Sequence, residues 1–241
     1  MPIAWEEKLQ QEQNRLHMLV VDHSMNALLE AIPSALKAWE SAPDQWYGAF
    51  VLQTCQLLNT PRPEVQQTKW NLAEATLQTK AESLPLPITL QLLYQVVDKP
   101  LITSKEWPEN RLAFAEIWLK AWQQLEQEMN PAFDPTQLPN IKVAPPDETG
   151  LPPGVSPDAI DDPQLRATYQ KAIKANRVLI EQYTYQNQLL QMAPSFQQTA
   201  SQYLIHLYSQ VPVDIAELQQ LLLTYVGNTS AVEAILLAIT K

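Results

Sequence analysis

At 241 residues and 46% apolar, the chain is long enough to bury a substantial core, and its single cysteine, Cys55, excludes an intramolecular disulfide and a cysteine-built structural zinc site. A formal net charge of −10, with no cluster of Lys and Arg, counts against nucleic-acid binding and against attachment to an anionic membrane surface. Only 17% of residues are charged, and 27 glutamines, never more than two in a row, serve instead as uncharged residues of helix surfaces.

The first residues, "MPIAWEEKLQQEQNRL", carry acids and glutamines where a signal peptide needs an apolar core, so a cytoplasmic protein is expected. Trp5, Leu9, Leu16, Val20, His23 and Ala27 recur at helical spacing, which predicts one long first helix ending near Ile32. Pro33 is then expected to start a short helix through Leu36 and Trp39, broken at Pro43-Asp44. "WYGAFVLQTCQLL" is apolar on most sides and predicts a central, buried helix, with Cys55 as a small core residue. After the turn "TPRP", a more polar helix is expected to bury Val65, Trp70, Leu72, Ala73 and Leu77. "ITLQLLYQVV" gives a short buried helix. From about Pro108 to Met129 a further helix carries the stripe Leu112, Ala115, Leu119, Trp122 and Leu125, with Phe114 and Trp118 alongside.

Composition then shifts. Residues 131–163 hold nine of the chain's twenty prolines and six acids against one base, Lys142. Proline fixes its own φ and drives the preceding residue out of the helical region, so an extended segment is expected here, with its half from Leu151 to Ile160 ordered on the helix that follows. Ser156-Pro157 and Asp162-Pro163 each read as a capping side chain followed by proline at the first helical position. The helix beyond Asp162 is expected to run to about Met192 on the row Leu165, Tyr169, Ile173, Asn176, Ile180, Tyr183, Asn187 and Leu190. Pro194-Ser195 is expected to separate it from a helix with Phe196, Ala200, Tyr203 and Leu207 in line. Asp214 with Glu217, and Ser230 with Glu233, form capping-box patterns around a stop at Gly227. The last helix, "AVEAILLAITK", is apolar on nearly all sides but too short to span a bilayer, so it must pack against its own chain or a partner.

The fold expected is all-α: about ten helices in two bodies, residues 1–130 and 158–241, joined by a proline-rich acidic segment at 131–157. With glycines only at 48, 150, 154 and 227, neither a dinucleotide fingerprint nor a phosphate-binding loop occurs. The three histidines, His17, His23 and His206, lack metal-protease spacing, and no E-x-x-H pair suits a di-iron bundle. No catalytic, cofactor-binding or metal-binding residue is assigned, and no cofactor is expected. Trp118 and Trp122 are spaced i, i+4, and all seven tryptophans fall in the first 130 residues, so any exposed one would mark a contact surface. Lys171, Lys174 and Arg177 step by three along one helix, with Arg166 and Tyr169 at its entry. The candidate contact surface is therefore Trp118, Trp122, Arg166, Tyr169, Lys171, Lys174 and Arg177.

"LPPGVSPDAIDDPQLRATYQKAIKANR", followed by "YTYQNQLL" and "YLIHLYS", resembles a helical segment of uncharacterised bacterial proteins across roughly residues 151–226. The resemblance implies a recurring helical module with an ordered proline-rich lead-in, and it implies no activity. The function expected is that of a non-enzymatic interaction protein: a subunit, adaptor or accessory factor of a larger bacterial assembly, binding another protein or itself. One alternative is a helical protein with a small-ligand or catalytic site at the junction of the two bodies, drawing on His23 with the aromatic and basic residues above. Another is an immunity protein or inhibitor whose acidity complements a basic partner.

Overall fold

A computed structural model describes residues 3–97, 107–130, 132–134 and 161–241. Among these the fold is all-α, with nine α-helices and no strand. They are α1 (Ile3–Val21), α2 (Met25–Trp39), α3 (Asp44–Leu57), α4 (Pro63–Lys80), α5 (Leu86–Val97), α6 (Trp107–Glu128), α7 (Pro163–Tyr208), α8 (Ile215–Tyr225) and α9 (Thr229–Ile239), with one 3-10 turn at Ala81–Ser83. No helix is long and apolar enough to cross a membrane, among the described residues. The Ser156-Pro157 helix start and the expected packing of Leu151 to Ile160 lie outside them.

The chain divides into two compact units. One holds Met1–Glu126 and Ser195–Lys241, the other Gln127–Pro194. The last three helical segments thus group with the N-terminal helices, which differs from the expected bodies of 1–130 and 158–241. The reason is aromatic. Trp118 of α6 is fully buried and stacks on Phe196, with ring centroids 5.2 Å apart, and on Tyr203 at 5.4 Å. Trp122 meets Phe196 edge-on at 6.3 Å. Side chains of this size carry the largest apolar area in a core, so the sequence from Ser195 onward completes the unit that α6 begins.

Within that first unit, α3 lies among α1, α4 and α5. Phe50, Val51, Thr54 and Cys55 are buried there, as the all-round apolar pattern predicts. Gly48 makes the approach possible: a methyl at this position would stand 2.6 Å from Leu84 Cδ2 and 3.0 Å from Ile88 Cγ2. Asp44, in the first turn of α3, receives Lys80 Nζ at 2.6 Å from the end of α4, and the same ammonium lies 4.8 Å from the centre of the Tyr47 ring. Glu126 makes a second tie. It accepts the indole N–H of Trp122 at 2.8 Å on one oxygen and the backbone N–H of Gly227 at 2.8 Å on the other, fixing the α8–α9 turn to α6.

Four expectations about punctuation are overturned. The long first helix breaks at Asp22–Ser24, where His23 adopts φ = 56°. Ser24 N–H donates to Leu19 C=O and His23 N–H to Val20 C=O, a Schellman stop in which His23 takes the place usually held by glycine. Pro33 sits inside α2 rather than starting a helix, and Pro194 sits inside α7 rather than ending one. Each proline removes one backbone hydrogen bond, a local cost of about 3 kcal/mol. Burial on both sides offsets it: Leu28, Ile32, Ala35 and Trp39 around Pro33, and Leu189, Ala193, Phe196 and Ala200 around Pro194. In α9 the cap is Asn228, whose side chain accepts from Ser230 and Ala231 N–H, two residues upstream of the expected Ser230. The Asp162 and Asp214 caps stand as read.

Candidate functional site

The second unit is built on the N-terminal part of α7. Pro163 follows the cap Asp162, whose carboxylate accepts the Gln164 N–H at 2.8 Å. Further along, the helix is held by residues at the end of α6. Gln186 Nε2 donates to the Glu128 carbonyl and Gln186 Oε1 accepts the Asn130 N–H, both at 2.9 Å. Tyr185 donates its hydroxyl to the Glu128 carboxylate, and Phe133 lies 5.0 Å from the Tyr183 ring. Burial, then the neighbouring carboxylate, raises the Tyr185 phenol above its ordinary range.

Between the cap and this tie the helix is open. Tyr169 is buried and Leu189 is buried, but every described side chain from 177 to 182 is exposed. Val178, Leu179 and Ile180 are 43%, 48% and 43% exposed. Successive helical residues turn by about 100°, so these three cover an arc of roughly 200°. Lys171 and Lys174, both exposed, share the face of Val178 at spacings of seven and four. Arg177, also exposed, pairs with Glu181 one turn on, Nε to Oε1 at 2.8 Å.

The candidate contact residues therefore separate. Lys171, Lys174 and Arg177 lie on one open helical stretch. Arg166 is half-buried and Tyr169 is 5% exposed. Trp118 and Trp122 are 0% and 2% exposed, so they form core of the first unit rather than contact surface. His23 is exposed at the α1–α2 stop, not on a buried row. Spacing alone missed Val178 and Leu179. The expected row passed through Ile180 but assigned it inward, because periodicity shows which residues share a face and not whether anything covers it.

The first unit carries two adjoining clefts at the end of α4. One, about 620 Å³, is walled by Leu77, Ala81, Ile117 and Ala121, with Lys120 bound to Glu82 at 2.8 Å and to Glu116 at 3.3 Å at its rim. That ammonium lowers the Glu82 carboxyl below its usual range, first by hydrogen bonding. Thr89 also lines this cleft. It is 4% exposed, and its hydroxyl has no hydrogen-bond partner among the described residues. The other cleft, about 540 Å³, surrounds the Asp44–Lys80 pair. None of the candidate contact residues, and not His23, lines either cleft. No group of three or more His, Cys, Asp or Glu is placed to hold a metal ion, among the described residues. Cys55 is fully buried, and burial pushes its thiol up to about 12, only partly opposed by Lys69. The chain matches no protein-family model, and no curated protein or solved structure matches it.

Proposed function

We propose that this is a non-enzymatic helical interaction protein, a subunit or adaptor whose contact face is the open stretch of α7 around Val178–Ile180. The observation that carries the reading is the exposure of three consecutive large aliphatic residues at 43–48% on one helix. Single exposed apolar residues are ordinary, whereas contiguous ones mark contact sites. The test is fractionation by size from a native extract of the source cells. The wild-type chain is expected to elute as a complex larger than itself, and the triple variant Val178→Ser, Leu179→Ser, Ile180→Ser to elute at its own mass with unchanged helical circular dichroism. Identical elution of the two proteins contradicts the proposal.

A second reading, a small-ligand protein, is favoured by one observation, the Thr89 hydroxyl that has no partner among the described residues and lines the 620 Å³ cleft. A volume of this size falls within the roughly 300–1,000 Å³ of ligand sites. Against it, Lys120 is already neutralised by two carboxylates and Lys80 by Asp44, which leaves both lysines of this cleft engaged with protein rather than ligand. A Thr89→Val variant that lost a ligand retained by the wild-type protein would favour this reading over the first.

A further inference from the structure

Resting on α7 as the contact face, we infer that its partner is an amphipathic segment of another protein with acidic residues flanking an apolar ridge. Lys171 and Lys174 precede Val178 by seven and four residues, so both ammonium groups border the apolar surface on one helix face. Neither makes an ion pair among the described residues, while Arg177 is engaged by Glu181 at 2.8 Å. A ridge laid on Val178 and Leu179 would bring its own flanking side chains over Lys171 and Lys174. Acids there gain charge complementarity, and bases meet like charge.

Other occupants fit this strip less well. A second copy of α7 offers a single acid, Glu181, already held by Arg177, and sets lysines near lysines. A nucleic acid would find the two exposed lysines beside bare aliphatic carbon. Phosphate recognition needs the reverse: many cations and groups that reach backbone or bases.

The probes are two synthetic helical peptides of about 20 residues with one leucine ridge, flanked by Glu in one and by Lys in its twin. Binding to the full-length chain is read by fluorescence anisotropy. The Glu peptide is expected to bind roughly tenfold more tightly than the Lys twin at about 0.05 M salt, and the gap to narrow at about 0.5 M. The variant Lys171→Glu, Lys174→Glu should reverse the preference. The variant Val178→Ser, Leu179→Ser should weaken the Glu peptide although every charge is kept, which separates a docked ridge from long-range attraction. Equal binding of the twins, a preference that survives charge reversal, or indifference to the serine substitutions would overturn the inference. If the twins bind equally while the size shift in native extract still depends on Val178–Ile180, the contact face stands and only the acidic partner is wrong.

Discussion

His23 shows how much one backbone position can hold. A non-glycine residue in the left-handed region bears a steric cost of about 1–2 kcal/mol, part of which glycine avoids at its own entropic cost. His23→Gly should therefore raise stability by roughly 0.5–1 kcal/mol in chemical denaturation. A loss of stability would mean that the imidazole makes a contact that matters. Gly48 is the opposite case. Alanine would gain about 1 kcal/mol of helix propensity, but its methyl would stand 2.6 Å from buried Leu84, and overpacking of a closed site costs about 1–3 kcal/mol. The expected result for Gly48→Ala is a net loss; a gain would show that α3 and α5 can separate freely. Cys55 supplies a third measurement. With its thiol pushed up to about 12 and the residue fully buried, it should resist disulfide reagents at neutral pH until the protein is unfolded. Rapid labelling of the native chain would contradict its placement. Burial of Cys55 was legible in its apolar neighbours. The His23 stop was not, since Asp22-His23-Ser24 contains neither glycine nor proline and only mild tolerance of the left-handed region.

At the scale of helices, the local rules failed where packing outweighed them. Pro33 and Pro194 look like punctuation in sequence, yet α2 and α7 run through both because buried residues lie on either side. The polar helix α4 buries Val65, Lys69, Leu72, Ala73, Thr76 and Leu77, a regular face, and Trp70, expected inward, is half-buried. Only the packed partner shows that Lys69 belongs to that face. The tie between α3 and α4 has a definite pH signature. Hydrogen bonding from Lys80, then Ser83, holds the Asp44 carboxyl below its ordinary value of 3.8. A depressed folded value means that the pair stabilises the protein above the unfolded pKa and that this contribution disappears as pH falls through the folded one. The stability difference between wild type and Asp44→Asn should be constant from neutral pH down to about pH 4 and shrink below it. A difference that grows on acidification would assign the effect elsewhere. The Asp162 and Asp214 caps were fully legible, since a capping side chain needs only its own helix.

For the molecule as a whole, the all-α class was readable from periodicity, but the grouping of helices was not. Nothing in the local pattern of α6 says that Trp118 will stack on Phe196 and Tyr203, nearly eighty residues away or more. The consequence is testable by truncation. A fragment of residues 1–130 keeps all seven tryptophans but exposes the Trp118 and Trp122 rings that Ser195–Lys241 covers. It is expected to lose the near-ultraviolet tryptophan signal and cooperative unfolding, and Phe196→Ala in the full chain to cost about 3–5 kcal/mol. A fragment that unfolds cooperatively would restore 1–130 as a self-sufficient domain. The proposed contact face was half legible: Lys171, Lys174 and Arg177 stood out by spacing, and the aliphatic run beside them did not. The most direct measurement places a photo-crosslinking side chain at Leu179 and, separately, at Gln78 beside the α4 cleft, in the source cells. Protein adducts at Leu179 and none at Gln78 are predicted; adducts at Gln78 with none at Leu179 would contradict a contact face on α7.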